Sequence, residues 1–228
     1  MDGVDVFDIL FLSILAIVFG VAYIITRLIL VLLDIHRKRK TLSYGKNKRK
    51  SSIKTMIVVG SGGHTTEMLR LLEHVSNTYS PRFYIMADTD KMSEEKITKF
   101  EKQEPQGKYL ICKIPRSREV KQSYLSTVIS TIYSLLKCVP LVFSIRPDLF
   151  EQVLCNGPGT CIPVCLLAFL LRVVGIKQTT VIFVESVCRV KTLSLSGRLL
   201  YYFADHVLVQ WPALQNTYPL AAYVGRLV

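Results

Sequence analysis

Residues Thr55 to Leu72 read TMIVVGSGGHTTEMLRLL. The apolar, β-branched run that ends at Val59 has the composition of a buried strand. Gly60-Ser61-Gly62-Gly63 breaks that run, and beyond His64-Thr65-Thr66 the segment Glu67-Met68-Leu69-Arg70-Leu71-Leu72 has the pattern of a helix. A strand, a glycine turn and a helix amino terminus in direct succession open an α/β unit. The glycines permit a tight turn and close approach of a ligand. The first N–H groups of the helix, at the positive end of its dipole, attract a phosphate or diphosphate. The same glycines also suit a unit that merely turns the chain, because the arrangement recurs across many functions.

Downstream, short apolar runs keep alternating with longer helical segments, the pattern of a parallel sheet covered by helices. Strands are expected at Thr55 to Val59, Arg82 to Ala87, Tyr109 to Ile114, Leu149 to Leu154, Thr180 to Val184 and His206 to Gln210. Helices are expected near Thr66 to Val75, Ser93 to Glu101, Tyr124 to Val139, Thr160 to Val174 and Ser194 to Phe203. The stretch from Tyr124 to Ile145 has Lys137 as its only charge, but Pro140 and its Ser and Thr content favour a crossover helix over a second membrane span.

The first loop lacks the third glycine of GxGxxG, and no GxxxxGK[ST] occurs, so dinucleotide and P-loop readings find little support. His64 follows the paired glycines. A neutral imidazole there is a candidate general base, and a loop histidine bonded to backbone is the alternative. A second loop, Asn156-Gly157-Pro158-Gly159-Thr160, again separates an apolar strand from an apolar helix. Two such loops at strand carboxyl ends can face one crevice, and Thr160 is placed to cap its helix. A third segment, Pro115-Arg116-Ser117-Arg118, offers two guanidinium groups suited to a diphosphate or to lipid headgroups, with a solvated basic loop as the other reading. Asp88-Thr89-Asp90 spells DxD, which turn chemistry explains equally well. Glu185, after the apolar run VIFV, is a candidate catalytic carboxylate, an interface residue or a helix-capping acid.

Ahead of this body, Ile9 to Thr26 is uncharged and apolar, and the apolar character resumes after Arg27 as far as Asp34. That length spans a bilayer. Asp2, Asp5 and Asp8 precede it, unlike the basic leader of a cleaved signal peptide. Residues 34 to 54 are dense in Lys and Arg while the leading segment has none, so the amino terminus is expected to be lumenal and the body cytosolic. Ten basic and four acidic side chains lie up to Lys54, so half of the chain's net charge of +12 is topological. No nucleic-acid recognition motif accompanies it. The organisation expected is an anchor over 1–34, a basic linker over 35–54 and one Rossmann-like domain over 55–228. Six cysteines without a CxxC pair read as reduced thiols, and no metal set is expected.

VVGSGGHTTEML, IPRSREV, NGPGTCIP, FVESVCRV and SGRLLYYFADHVLVQWPAL, in this order, resemble the membrane-anchoring subunit of the endoplasmic reticulum UDP-N-acetylglucosamine transferase of asparagine-linked glycosylation. The resemblance covers essentially the whole chain. It implies the amino-terminal-type half of a GT-B enzyme akin to the bacterial MurG-type transferases, preceded by one transmembrane helix. A soluble donor-binding subunit would complete it and hold UDP-N-acetylglucosamine, with no cofactor bound by this chain. The implied acceptor is dolichyl-diphospho-N-acetylglucosamine on the cytosolic face of the endoplasmic reticulum membrane.

By the same resemblance Ser61, Gly62, Gly63, His64 and Thr65 would approach the acceptor diphosphate, with anomeric inversion as the outcome; His64 as base for the attacking hydroxyl is read from its place in the loop, while the family reading puts catalysis on the soluble subunit. Asn156, Gly157, Gly159 and Thr160 would line the same crevice, and Arg116 and Arg118 would assist with the diphosphate. The apolar tail NTYPLAAYVGRLV, through Tyr218, Leu220, Tyr223, Leu227 and Val228, would bind the soluble subunit. Docking of that tail on its own domain is the alternative. Two competing readings are a structural recruiter whose loops bind nothing and a membrane-tethered enzyme complete in one chain.

Overall fold

The structure, a computed structural model, describes residues 6–40, 52–76, 78–103, 107–118, 122–144, 151–157 and 159–227. A long helix, α1 (Val6–Lys40), precedes an α/β body. The body runs β1 (Thr55–Val58), α2 (Gly63–Glu73), β2 (Arg82–Ala87), α3 (Lys91–Gln103), β3 (Tyr109–Ile114) and α4 (Tyr124–Ser144). It continues with β4 (Gln152–Asn156), α5 (Cys161–Val173), β5 (Thr180–Val184), α6 (Leu195–Phe203), β6 (His206–Val209), α7 (Pro212–Thr217) and β7 (Ala222–Tyr223). Among the described residues seven strands lie in one sheet, in the order β3-β2-β1-β4-β5-β6-β7, and each of these pairings is parallel. This is the Rossmann-like fold expected from the sequence.

Strand burial follows from the sheet being covered on both faces. Every residue of β1 and β2 is buried, which is why these strands read as continuous apolar runs rather than alternating ones. Successive side chains still point to opposite faces. Met56 and Val58 enter a core made with α4, α5 and α6, whereas Ile57 packs on the other side with Met68, Leu69 and Leu72 of α2 and Ile97 and Phe100 of α3. On that side the buried Arg82 pairs with Glu101 at 2.7 Å, and Tyr84 donates its hydroxyl proton to the same carboxylate.

Several boundaries differ from the sequence reading. The first helix starts at Gly63, so Gly63, His64 and Thr65 form its first turn instead of preceding it. Strand β4 ends at Asn156, two residues beyond the expected Leu154, while Leu149 lies outside the described residues. Pro140 sits inside α4, which continues to Ser144. This helix is the crossover between β3 and β4. Cys138 and Val142 face the core, whereas Leu125, Val128, Ile129, Ile132 and Leu136 are exposed in an apolar row.

Helix α1 is apolar and long enough to cross a membrane, with none of its most apolar window buried. A bilayer core takes about 20 residues of helix, so α1 exceeds a span by several turns. The surplus is docked. Val31 and Ile35 are buried against Val173, and Arg27 donates to the carbonyls of Arg172 and Val173, capping the carboxyl end of α5. Arg172 reaches Asp34 at 2.5 Å and Asp205 at 2.8 Å, and Arg39 donates to the carbonyls of Tyr201 and Ala204 at the end of α6. The segment expected to begin a linker at residue 35 is therefore helical as far as Lys40 and held against the body as far as Arg39.

Asp205 is 0% exposed and also accepts from the Val181 N–H, and its buried charge is offset by Arg172 at 2.8 Å and, farther off, by Lys38 at 3.6 Å. Arg172→Leu is expected to lower the unfolding free energy of the body by about 1–3 kcal/mol, because the buried Asp205 then keeps only the more distant Lys38 as counter-charge. Denaturant titration of the variant against the parent chain checks this, and a loss below about 1 kcal/mol would contradict it.

Candidate functional site

The strand order reverses between β1 and β4, which are neighbours in space but come from opposite ends of the fold's first half. In open α/β sheets the loops beyond such a reversal diverge and leave a crevice at the carboxyl ends of the strands. Here a cavity of about 560 Å³ lies at that edge, lined by Gly63, His64, Glu67, Gly157, Ser186 and Arg189 among others. Gly62, at the amino-terminal boundary of α2, has φ +67° and no side-chain cap bond, and Cβ atoms built on Gly62 and Gly63 would meet nothing within 4 Å. The leading N–H groups of α2 are thus open to a ligand.

The two glycine loops meet through hydrogen bonds. His64 Nδ1 lies 3.0 Å from Asn156 Oδ1, and Asn156 Nδ2 donates to Glu67 Oε2 at 2.9 Å. Ser186 Oγ donates to Glu67 Oε1 at 2.7 Å, joining the loop after β5 to the same cluster. Gly157 has φ +74°, and a Cβ there would lie 2.3 Å from His64 Cε1. Only glycine allows this backbone to press against the imidazole. Glu67 and Ser186 were not among the residues expected at the site. The signal for Glu67 was its place three residues after His64 in the first helical turn, which puts both on one face.

Other expected residues have different places. Thr65 is fully buried, bonding the Gly60 carbonyl and, at 2.6 Å, Ser93 Oγ, so it ties the loop down and does not line the crevice. Thr160 is buried beside α5 and makes no capping bond, because its backbone is already helical. Glu185 is fully buried. It accepts from the N–H groups of Ser186 and Ser194 and from Ser194 Oγ, the bonds of a capping acid, and the residue also borders the crevice cavity. Burial pushes its carboxyl above its ordinary value, against the pull of the Ser194 and Ser186 N–H groups. Asp90, from the DxD triplet, caps α3 through the Ser93 N–H and hydroxyl.

A sequence model of the family described as "Oligosaccharide biosynthesis protein Alg14 like" matches residues 55–227, the whole body of this fold. The chain belongs to that family. It is 52% identical over 186 residues to the human "UDP-N-acetylglucosamine transferase subunit ALG14", covering 78% of this chain and 85% of that protein. The Schizosaccharomyces pombe protein of the same name is 42% identical over 191 residues, covering 81% and 90%. Among solved structures, Acinetobacter baumannii MurG aligns with a TM-score of 0.50 at 14% identity, over 70% of this chain and 42% of that one. That likeness establishes the shared fold, and this chain corresponds to less than half of the MurG chain.

In this Alg14-like body the third basic segment also reaches the crevice edge. A Cβ built on Gly159 would stand 3.4 Å from Ser117 Oγ and 3.5 Å from Arg118 Cβ. Ser117 Oγ is buried without a hydrogen-bond partner among the described residues. Arg116, two residues beyond β3, donates to Thr89 Oγ1, just past the end of β2, at 3.2 Å. The carboxyl-terminal tail is seated on its own domain. β7 extends the sheet beside β6, Tyr218 packs on Tyr201, and the Leu227 N–H donates to Gln210 Oε1. Leu220 and Tyr223 nevertheless stay exposed, and Val228 lies outside the described residues.

Gly157→Ala is expected to push the His64 ring off Asn156 and to cost about 1–3 kcal/mol through its positive φ. Loss of the His64 imidazole signals from their native positions in a histidine-labelled NMR spectrum, with the sheet intact by circular dichroism, is the outcome to look for.

Proposed function

We propose that this chain is the membrane-anchored, acceptor-binding half of a two-subunit glycosyltransferase. The assembled enzyme transfers N-acetylglucosamine from UDP-N-acetylglucosamine to dolichyl-diphospho-N-acetylglucosamine. The observation that carries this reading is the open amino terminus of α2 beside His64, in a chain that covers only 42% of the two-domain-sized MurG chain. The names of the curated relatives, each a transferase subunit, support the same division of labour. A soluble partner supplies the UDP-sugar site.

In this reading the Ser61-Gly62-Gly63 turn and the first N–H groups of α2 hold the acceptor diphosphate, with Gly159, Arg116 and Arg118 beside it. His64 takes the proton from the attacking hydroxyl of the acceptor sugar as that oxygen bonds the donor's anomeric carbon and the bond to UDP breaks. Attack from the face opposite UDP inverts the anomeric centre. The anchor over 1–34 crosses the endoplasmic reticulum membrane with its amino terminus lumenal, residues 35–54 emerge on the cytosolic side, and 55–228 form the acceptor domain. Leu220, Tyr223 and the chain end form the surface for the soluble subunit.

Transfer assayed with this chain, the soluble partner and their mixture is expected only in the mixture, and activity from this chain alone would overturn the half-enzyme reading. Within the mixture His64→Ala is expected to lower kcat by roughly 10²- to 10⁴-fold. Replacing Arg116 and Arg118 together with Ala is expected to raise the acceptor KM while leaving capture of the soluble partner intact. Equal loss of both would remove the diphosphate assignment.

A further inference from the structure

We propose that Glu67 is a positioning residue that fixes which nitrogen of His64 carries the proton. Every link follows from who can donate. The Cys188 N–H donates to Ser186 Oγ at 3.3 Å, so the Ser186 hydroxyl proton is turned toward Glu67 Oε1, 2.7 Å away. An ionised carboxylate has no proton to offer, so the group facing its other oxygen, Oε2, must be the amide nitrogen of Asn156. The amide oxygen is then left to face His64 Nδ1 at 3.0 Å, and since it only accepts, Nδ1 must be the donor. In the neutral ring the Nε2 lone pair is consequently free. Among the described residues no group bonds Nε2, and the ring borders the crevice cavity.

This polarity deepens the reading of His64 as a base, on which only its kinetic consequence rests. The chain works like the third group of a catalytic triad, which holds an imidazole in the tautomer whose other nitrogen can take a proton. It differs in putting an amide between acid and ring. Asn156 orients Nδ1–H without giving the ring a directly bonded negative partner, and Glu67 Oε2 stands 4.0 Å from Nδ1. Gly157 leaves the ring little room for an alternative placement. Glu67 itself lines the cavity wall and is 12% exposed, with both oxygens engaged.

The test is nitrogen-15 NMR of the full chain in lipid nanodiscs, with labelled histidine, at a pH where the His64 ring is neutral. The expected spectrum has His64 protonated on Nδ1. Glu67→Gln keeps the shape but lets the amide at 67 offer either end, so Asn156 is freed to turn over and a mixture of both tautomers is expected. The exchanged pair, Glu67→Gln with Asn156→Asp, restores an acceptor facing Nδ1 and is expected to return the ring to Nδ1–H. Thermal melting confirms that each variant is folded. A parent chain protonated on Nε2, a Glu67→Gln chain that keeps Nδ1–H alone, or failure of the exchanged pair to restore it would overturn the proposal. In the transfer assay with the soluble partner, kcat of Glu67→Gln is expected to fall in proportion to the lost Nδ1–H fraction, at unchanged acceptor KM. Mixed tautomers with undiminished kcat would uphold the wiring and instead remove His64 as the base.

Discussion

The parallel pairing of β1 with β4, in the register Val58 opposite Cys155, is the constraint on which the site depends. Parallel strands all end at one edge of the sheet, so loops from distant parts of the chain emerge together. Only at the reversal of strand order do neighbouring connections lead away from each other and leave room between them. That is where the first glycine loop and Asn156 meet. A slip of one residue between these strands would turn the whole of β4 inside out and carry Asn156 away from His64. The apolar cores on both faces make such a slip costly, so the precision of a few polar contacts is inherited from the packing of many apolar ones.

The polar cluster behind His64 is itself connected throughout. Helix α2 supplies His64 and Glu67, the end of β4 supplies Asn156 and the loop after β5 supplies Ser186, and the amide and the carboxylate each have partners on both ends. Such a network is rigid when complete, since each group loses its bond only by leaving another unsatisfied. By contrast the Ser61-Gly62-Gly63 turn has open space above it. The site therefore combines a fixed imidazole with an uncovered glycine turn.

Much of this was legible in the sequence, because glycine pairs and apolar runs are local signals. The strand-turn-helix at Thr55 to Leu72, the parallel α/β body and the pairing of two glycine loops over one crevice were all readable in that way. Ser186 was not, since its partner Glu67 lies 119 residues away and nothing local marks the contact. Glu185 stayed ambiguous for a physical reason, as an acid after an apolar strand reads the same whether it faces a substrate or caps the next helix. The two-residue β7 is too short for any periodicity. Arg39 and Asp34 were hidden differently: charges beside a membrane segment satisfy the topology rule, which conceals that they also dock on the body.

That docking has a mechanical result. From Val6 to Lys40 the helix is one unbroken rod, clamped to the body through its last turns by Val31, Ile35, Asp34 and Arg39. A rod held at one end transmits its inclination. If the free part crosses a bilayer, as proposed above, a change in hydrocarbon thickness is met by a change of helix tilt, and the sheet turns with it. The crevice would thus be aimed by the lipid itself, opened toward or turned from the membrane surface according to how thick that membrane is.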